Sequence, residues 1–366
     1  MRVGVPREVK VHEYRVGLTP TSVRELTAHG HEVLVERGAG AGIGAADAAY
    51  ERAGARIVDD AFEAELIVKV KEPQAAERRR LRADQVLFTY LHLAPDPEQA
   101  RDLVASGAIC IAYETVTRPG GGLPLLAPMS EVAGRMAIQV GAGCLEKERG
   151  GMGTLLAGVP GVPAAKLVIL GSGVVGANAA RIAVGSGARV FALDRSVDAL
   201  RRIESEFGAR VVTVYSSRDA IEQHVVSADL VIGSVLVPGA AAPKLVSREL
   251  LRRMKPGAAL VDVSIDQGGC FETSRPTTHA DPTYVVEGVV HYCVANMPGA
   301  VPRTSTYALN NATLPFVLAL ADKGWKRALA DDEHLRNGLN VARGKLAHRA
   351  VAEALGLRYT PADGLL

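Results

Sequence analysis

The sequence predicts an α/β protein of two doubly wound parallel-sheet domains with a cleft between them, and three observations carry that expectation. The chain has 366 residues, more than one hydrophobic core commonly supports. Short runs rich in Val, Ile and Leu alternate with longer helical patterns along nearly its whole length. Such alternation marks βαβ units, in which helices cover both faces of a parallel sheet. Finally, the Pro/Gly-rich stretch "RPGGGLPLLAPMS" separates two series of this kind.

In the first series the strands are expected at "RVGVP", "HEVLVE", "LIVKV", "QVLFTYL" and "AICIAYE", with helices such as "TSVRELTAHG" and "DPEQARDLVASG" between them. Ser130 followed by Glu131 reads as the start of a long helix, since a hydroxyl caps free N–H groups and an acid complements the helix dipole. The second series comprises "KLVILGSG", "RVFALD", "RVVTVYS", "DLVIGSV", "ALVDVSID" and "VVHYCV". Thr304 or Ser305 is placed to cap another long helix, and the tail reads as helical to Leu355.

Composition narrows the function classes. Lys and Arg number 42 against 40 Asp and Glu, and 48% of residues are hydrophobic. The block Arg78 to Arg80 reads as a solvated helix face, so no nucleic-acid partner is expected. No apolar run reaches membrane-spanning length and the N-terminus lacks a signal core, which points to a cytoplasmic protein without a membrane partner. Cys110, Cys144, Cys270 and Cys293 are scattered without metal-ligand spacing, and read as small buried hydrophobes. Small molecules and further copies of the chain are the expected partners.

The most specific signal is "KLVILGSGVVGANAARIAVGSGARVFALD". Gly171, Gly173 and Gly176 follow one strand and open a helix, and Asp194 ends the next strand at the spacing of a Rossmann-like dinucleotide site. Gly171 permits the turn, Gly173 admits a pyrophosphate to the backbone, and Gly176 lets helix and strand approach. Asp194 would accept the ribose hydroxyls and repel a 2′-phosphate, which favours NAD, although Arg195 next to it is able to tolerate that phosphate.

Other polar residues stand at strand ends, where ligands bind in open α/β sheets. "LIVKVKEP" ends in Lys69 and Lys71, which share a face if the strand's two-residue period continues. "QVLFTYLHLAPDP" ends at His92, and Arg15 lies in a loop before a helix. "LVDVSIDQGGC" reads as a buried strand with Asp266 at its tip. A buried strand has no structural need of an acid there, because an ionised carboxylate is costly to bury; a turn-forming role is the plain alternative. One base of near-neutral pKa, a lysine, an arginine and an acid beside a dinucleotide site suit oxidation of an amino or hydroxy acid, with Arg gripping a carboxylate in a fork and His carrying the proton.

At these residues the sequence resembles the L-alanine dehydrogenase family and, more distantly, the NAD-binding subunit of membrane transhydrogenase. The similar segments include "MRVGVPREVKVHEYRVGLTP", "FTYLHLA", "LPLLAPMSEVAGR", "DQGGCFETSRPTT" and "VANMPGAVPRTST". They run in the family's order over nearly the whole chain. The resemblance implies that Arg15 and Lys71 bind substrate and that His92 and Asp266 are catalytic. It also implies that Ser130, Val174, Asp194, Ser216, Val235, Leu236, Ile265, Arg275, Asn296 and Met297 line the NAD site. A discontinuous substrate domain (1–128 with 305–366) would enclose an inserted NAD domain (129–304), and several copies, six in most of the family, would assemble. Two departures stand out: Ala199 where some relatives carry a lysine near the ribose, and Ala319 with Lys323 where some carry metal ligands. No metal is expected there.

The implied reaction is oxidative deamination of L-alanine with NAD. A transhydrogenase-type NAD(H) subunit, a dehydrogenase for another small amino acid, and a non-catalytic NAD sensor remain the alternatives.

Overall fold

A computed structural model gives the architecture, and residues 1–235 and 242–366 are described. The chain divides into two compact units, Met1–Met129 with Gly299–Leu366, and Ser130–Pro298. Six strands come first: β1 Arg2–Val5, β2 Glu32–Glu36, β3 Arg56–Val58, β4 Leu66–Val68, β5 Val86–Thr89 and β6 Ile109–Ala112. Seven follow in the second unit: β7 Lys166–Leu170, β8 Arg189–Asp194, β9 Val211–Tyr215, β10 Leu230–Gly233, β11 Ala259–Asp262, β12 Thr283–Val286 and β13 Val289–Tyr292. The returning chain adds β14 Leu339–Ala342 and β15 Lys345–Leu346 to the first unit.

The first sheet runs β15-β14-β6-β5-β4-β1-β2-β3. Its strands β1 to β6 are parallel, while β14 is antiparallel to β6 and to β15. The second runs β12-β13-β11-β10-β7-β8-β9 and is parallel except for β12. Both are therefore doubly wound α/β sheets, each with its order reversing beside its first strand, β1 or β7. Central strands are buried along their full length, as in β5, β6, β10, β11 and β13. Burial on both faces is why they read as unbroken apolar runs. One core gathers Ile67, Leu87, Leu103 and Val351 in the first unit, and another gathers Val168, Val231, Leu260 and Phe271 in the second.

Several local expectations need correction. The helix bearing Ser130 starts at Ala127, and the next long helix starts at Pro302, so Ser130, Thr304 and Ser305 lie inside their first turns rather than at caps. Pro128 and Pro302 explain both shifts: a proline has a fixed helical φ and no N–H to satisfy, so it suits a first turn. The tail is not continuously helical, because β14 and β15 interrupt it. The edge strands β3, β12 and β15 were not anticipated, being short and partly exposed. Strand β4 ends at Val68, so the two-residue period does not carry Lys69 and Lys71 onto one face. Strand β11 ends at Asp262, and Asp266 sits in a 3-10 helix, Val263–Gln267, beyond the strand tip. All four cysteines are free and buried. Among the described residues no helix is long and apolar enough to cross a membrane.

Candidate active site

In the second unit, β7 ends at Leu170 and the helix Val174–Gly185 begins four residues later. Gly171 turns the chain with φ of +101°, and a Cβ there would stand 2.8 Å from the Ser234 carbonyl oxygen. A Cβ on Gly176 would stand 1.9 Å from the Gly171 oxygen, so close packing of turn and helix demands glycine. At Gly173 the demand is different: a Cβ would meet nothing within 4 Å. The side chain is absent where the protein leaves open space. Beside it the Ser172 hydroxyl is buried and has no hydrogen-bond partner among the described residues. An open glycine, an unsatisfied hydroxyl and a helix N-terminus fit the phosphates of a dinucleotide.

Asp194 ends β8 and braces this turn. Its Oδ2 accepts from Ser172 N–H at 2.5 Å and its Oδ1 from Ser196 N–H at 2.7 Å. Ser216 follows β9, where its N–H donates to the Asp194 carbonyl at 2.9 Å. Val235 follows β10, and its carbonyl accepts from Ser264 Oγ at 2.8 Å. Ile265 is buried after β11; Asn296, with φ of 62°, and the buried Met297 come after β13. Val174 is exposed at the first position of its helix. Most of the candidates for cofactor contact thus follow the C-terminal ends of parallel strands. Arg275 is exposed elsewhere, its guanidinium 4.1 Å from the centre of the Tyr284 ring. Ser130 is half-buried within its helix, and Leu236 lies outside the described residues. Ala199 is buried, its N–H donating to Ser196 Oγ at 3.2 Å.

Asp266 is exposed on its 3-10 helix, just before the left-handed Gly268 and Gly269. The acid that organises this loop is Asp262, which the sequence reading passed over. Fully buried, it accepts from Ser264 N–H at 3.1 Å, Cys270 N–H at 2.9 Å and Ser274 Oγ at 2.5 Å. Burial pushes its carboxyl above the usual range despite those donors. Asp262 thereby takes the turn-forming role that was the alternative for Asp266.

In the first unit, β6, β5, β4 and β1 are neighbours, and the residue just past each C-terminal end faces the same sheet edge. Past β4, Lys69 is wholly buried, its Nζ 3.0 Å from Glu8 Oε2 and 2.7 Å from Glu77 Oε1. Burial opposes the ammonium, yet the two carboxylates prevail and hold its pKa above the ordinary value. Burial, in turn, raises the pKa of Glu8. Glu8 also accepts from Val70 N–H at 2.7 Å and Lys71 N–H at 3.3 Å, and the Lys71 carbonyl accepts from Thr89 Oγ1 at 3.0 Å. Lys71 itself is half-buried.

Arg15 is buried with Glu13 in a two-point pair, Nε to Oε1 at 2.7 Å and Nη2 to Oε2 at 2.6 Å. Burial disfavours the guanidinium charge, but Glu13 outweighs it and raises its pKa. The Nε–Nη2 edge of Arg15 is thereby committed to Glu13. His92 follows β5 with φ of 49°, and its ring stacks on Tyr90 with centroids 5.8 Å apart. Glu114, past β6, accepts from His92 N–H at 2.6 Å. Glu8, Glu13 and Glu114 were missed in the sequence because each acts through contacts made only in the fold; for Glu8 and Glu114 the position just past a strand end was the available signal.

The positions with metal ligands in some relatives are Ala319, half-buried, and Lys323, whose Nζ lies 3.0 Å from Asp331 Oδ2.

Comparison with known proteins identifies the family. Residues 4–133 match the family "Alanine dehydrogenase/PNT, N-terminal domain", and residues 137–349 match "Alanine dehydrogenase/PNT, C-terminal domain". A curated alanine dehydrogenase of Halomonas elongata is 62% identical, covering 100% of both chains. A solved L-alanine dehydrogenase superposes with a TM-score of 0.94 at 53% identity, covering 97% of this chain and 99% of that one. The transhydrogenase of Sinorhizobium meliloti is more distant, with a TM-score of 0.82 at 26% identity and coverage of 96% and 100%. The chain belongs to the alanine dehydrogenase/PNT family.

Proposed function

We propose that the chain is an amino-acid dehydrogenase that interconverts L-alanine and pyruvate with NAD. The observation that carries this reading is the edge of the first sheet, where Lys71 and His92 follow adjacent parallel strands. The second unit of the same chain has a glycine turn open to a dinucleotide. The first unit would take the substrate and the second the cofactor.

The reaction balances as L-alanine, NAD⁺ and water giving pyruvate, NADH, ammonium and a proton. NAD⁺, when bound through the Gly171–Gly176 turn, Asp194 and the other strand-end residues, supplies the hydride acceptor. Arg15, fixed by Glu13, and Lys71, whose backbone Glu8 holds, would bind and orient the substrate carboxylate and carbonyl oxygen. His92 would take a proton from the substrate ammonium, so that the nitrogen lone pair helps expel the α-hydrogen as hydride. It would return that proton to the leaving ammonia after water adds to the iminium carbon. Asp266 would stabilise the iminium cation and position the attacking water.

The strong similarity to alanine dehydrogenases, against a distant one to a transhydrogenase, favours this reading over a hydride-exchanging subunit. The test is NADH formation when L-alanine alone is added to the purified chain. Formation at a steady rate is expected, with His92→Ala and Asp266→Asn lowering turnover by about 100-fold or more while NADH still binds. No NADH from L-alanine, or formation only with another small amino acid, would overturn the substrate assignment. The family resemblance also supports a cytoplasmic homohexamer, which sedimentation of the purified protein checks.

A further inference from the structure

Glu114 lies in no motif that the proposed reaction uses, yet its carboxylate is bound to the backbone of His92. It sits in the 3-10 helix Tyr113–Thr115 directly after β6, and its side chain is 14% exposed. Both oxygens accept from Leu91 N–H at 3.2 Å, and Oε1 also accepts from His92 N–H at 2.6 Å. Consecutive N–H groups converging on one anion form a backbone nest, a shape that a left-handed residue creates. His92 is that residue, with φ of 49°. A histidine in this conformation costs energy unless its surroundings enforce it, and Glu114 supplies the enforcement.

The same carboxylate faces the ring. Glu114 Oε1 stands 3.9 Å from His92 Nδ1, and the opposite support is the Tyr90 ring, lying within 5° of parallel to the imidazole. Tyr90 is itself fixed through its hydroxyl, which donates to the Leu125 carbonyl at 2.5 Å. A carboxylate beside one imidazole nitrogen favours a proton on that nitrogen and leaves the other nitrogen as the acceptor. A separation of 3.9 Å is longer than a hydrogen bond, and such contacts shorten when a substrate complex forms.

We propose that Glu114 is the positioning residue for His92: it holds the histidine backbone in its left-handed turn and turns Nδ1–H toward itself, presenting Nε2 to the substrate. This rests on the reading of His92 as the proton-transfer group. In this role Glu114 acts through His92 and needs no contact of its own with substrate or cofactor.

The test is a double-substitution cycle in the full-length protein, with turnover, KM for pyruvate and NADH affinity measured for Glu114→Gln, His92→Gln and the pair. Glu114→Gln keeps the side chain's shape and one backbone acceptor, and is expected to lower turnover about tenfold or more. KM and NADH affinity should change less than about threefold, as expected for a loss confined to the reacting complex. Glu114→Asp, which restores the charge, should recover part of that loss. In the His92→Gln background, Glu114→Gln should have no further effect. An equal loss in both backgrounds, or wild-type turnover in Glu114→Gln, overturns the proposal. Unchanged turnover in His92→Gln alone instead removes the role of His92. Should Glu114→Gln not fold, the tautomer of His92 decides, read by nitrogen NMR of the wild-type protein: a proton on Nδ1 supports the proposal and one on Nε2 overturns it.

Discussion

Two glycines three positions apart in the same motif, Gly173 and Gly176, make opposite demands. Gly176 is required by the protein, since a Cβ would press on the Gly171 carbonyl oxygen, whereas at Gly173 a Cβ would meet no protein atom. Gly173→Ala also adopts an ordinary backbone, because φ is −73° there. Gly173→Ala should therefore keep its thermal midpoint while NADH binding weakens about tenfold or more. Gly176→Ala should lose about 1–3 kcal/mol of stability before any ligand is added. Calorimetry with and without NADH separates the two. His291 gives a second residue-level expectation. It is wholly buried, and burial lowers its pKa to about 4. An unfolded chain takes up a proton near pH 6.5 that the folded one refuses, so stability is complete above that pH and declines as pH falls toward 4. Between pH 7 and pH 5 the decline attributable to His291 should be about 2 kcal/mol, and urea titrations should find it absent in His291→Gln. The glycines and Asp194 were legible because their spacing is set along the chain. Asp262 was not, since it lies only four positions before Asp266 and only the end of the strand decides which acid is buried.

At the scale of elements, the loop after β4 is clamped from within. Glu8 and Glu77 both reach Lys69 Nζ, and Glu77 Oε2 also accepts from Gln74 N–H at 2.8 Å, closing the first turn of the helix Ala75–Arg78. Lys71 lies between these anchors. Removing the ammonium that these two buried carboxylates share takes away their hydrogen-bonded counter-ion, so Lys69→Met should cost about 3 kcal/mol or more, measured as the shift in urea unfolding. The strands that carry these loops were visible as apolar runs, and the helices between them as periodic ones. The short strands were not. Four residues such as "LNVA" in β14 hold too little pattern to distinguish a strand from a helix turn, and pairing with β6 across more than 200 positions of sequence decides the matter. The prolines that open two helices were present in the sequence but weighed less than the neighbouring hydroxyl residues.

For the whole molecule, composition and alternation were enough to indicate a two-sheet α/β protein, because both sheets follow the same winding and bury their central strands alike. The division into Met1–Met129 with Gly299–Leu366, and Ser130–Pro298, rests on the chain's return, which no local pattern encodes. That return covers the open side of β6 with β14. It also ties Asn310 to the start of the chain: its Oδ1 accepts from Thr19 N–H and its Nδ2 donates to the Gly17 carbonyl, both at 2.8 Å. Synthesis on the ribosome thus meets a delay of its own making. The opening third of the polypeptide emerges with a raw strand margin and must wait for the final segment, Gly299–Leu366, while the middle stretch has all its strands in hand and is free to fold sooner. Expressed by itself, the piece 130–298 should give a cooperative melting transition, and the piece 1–129 should aggregate.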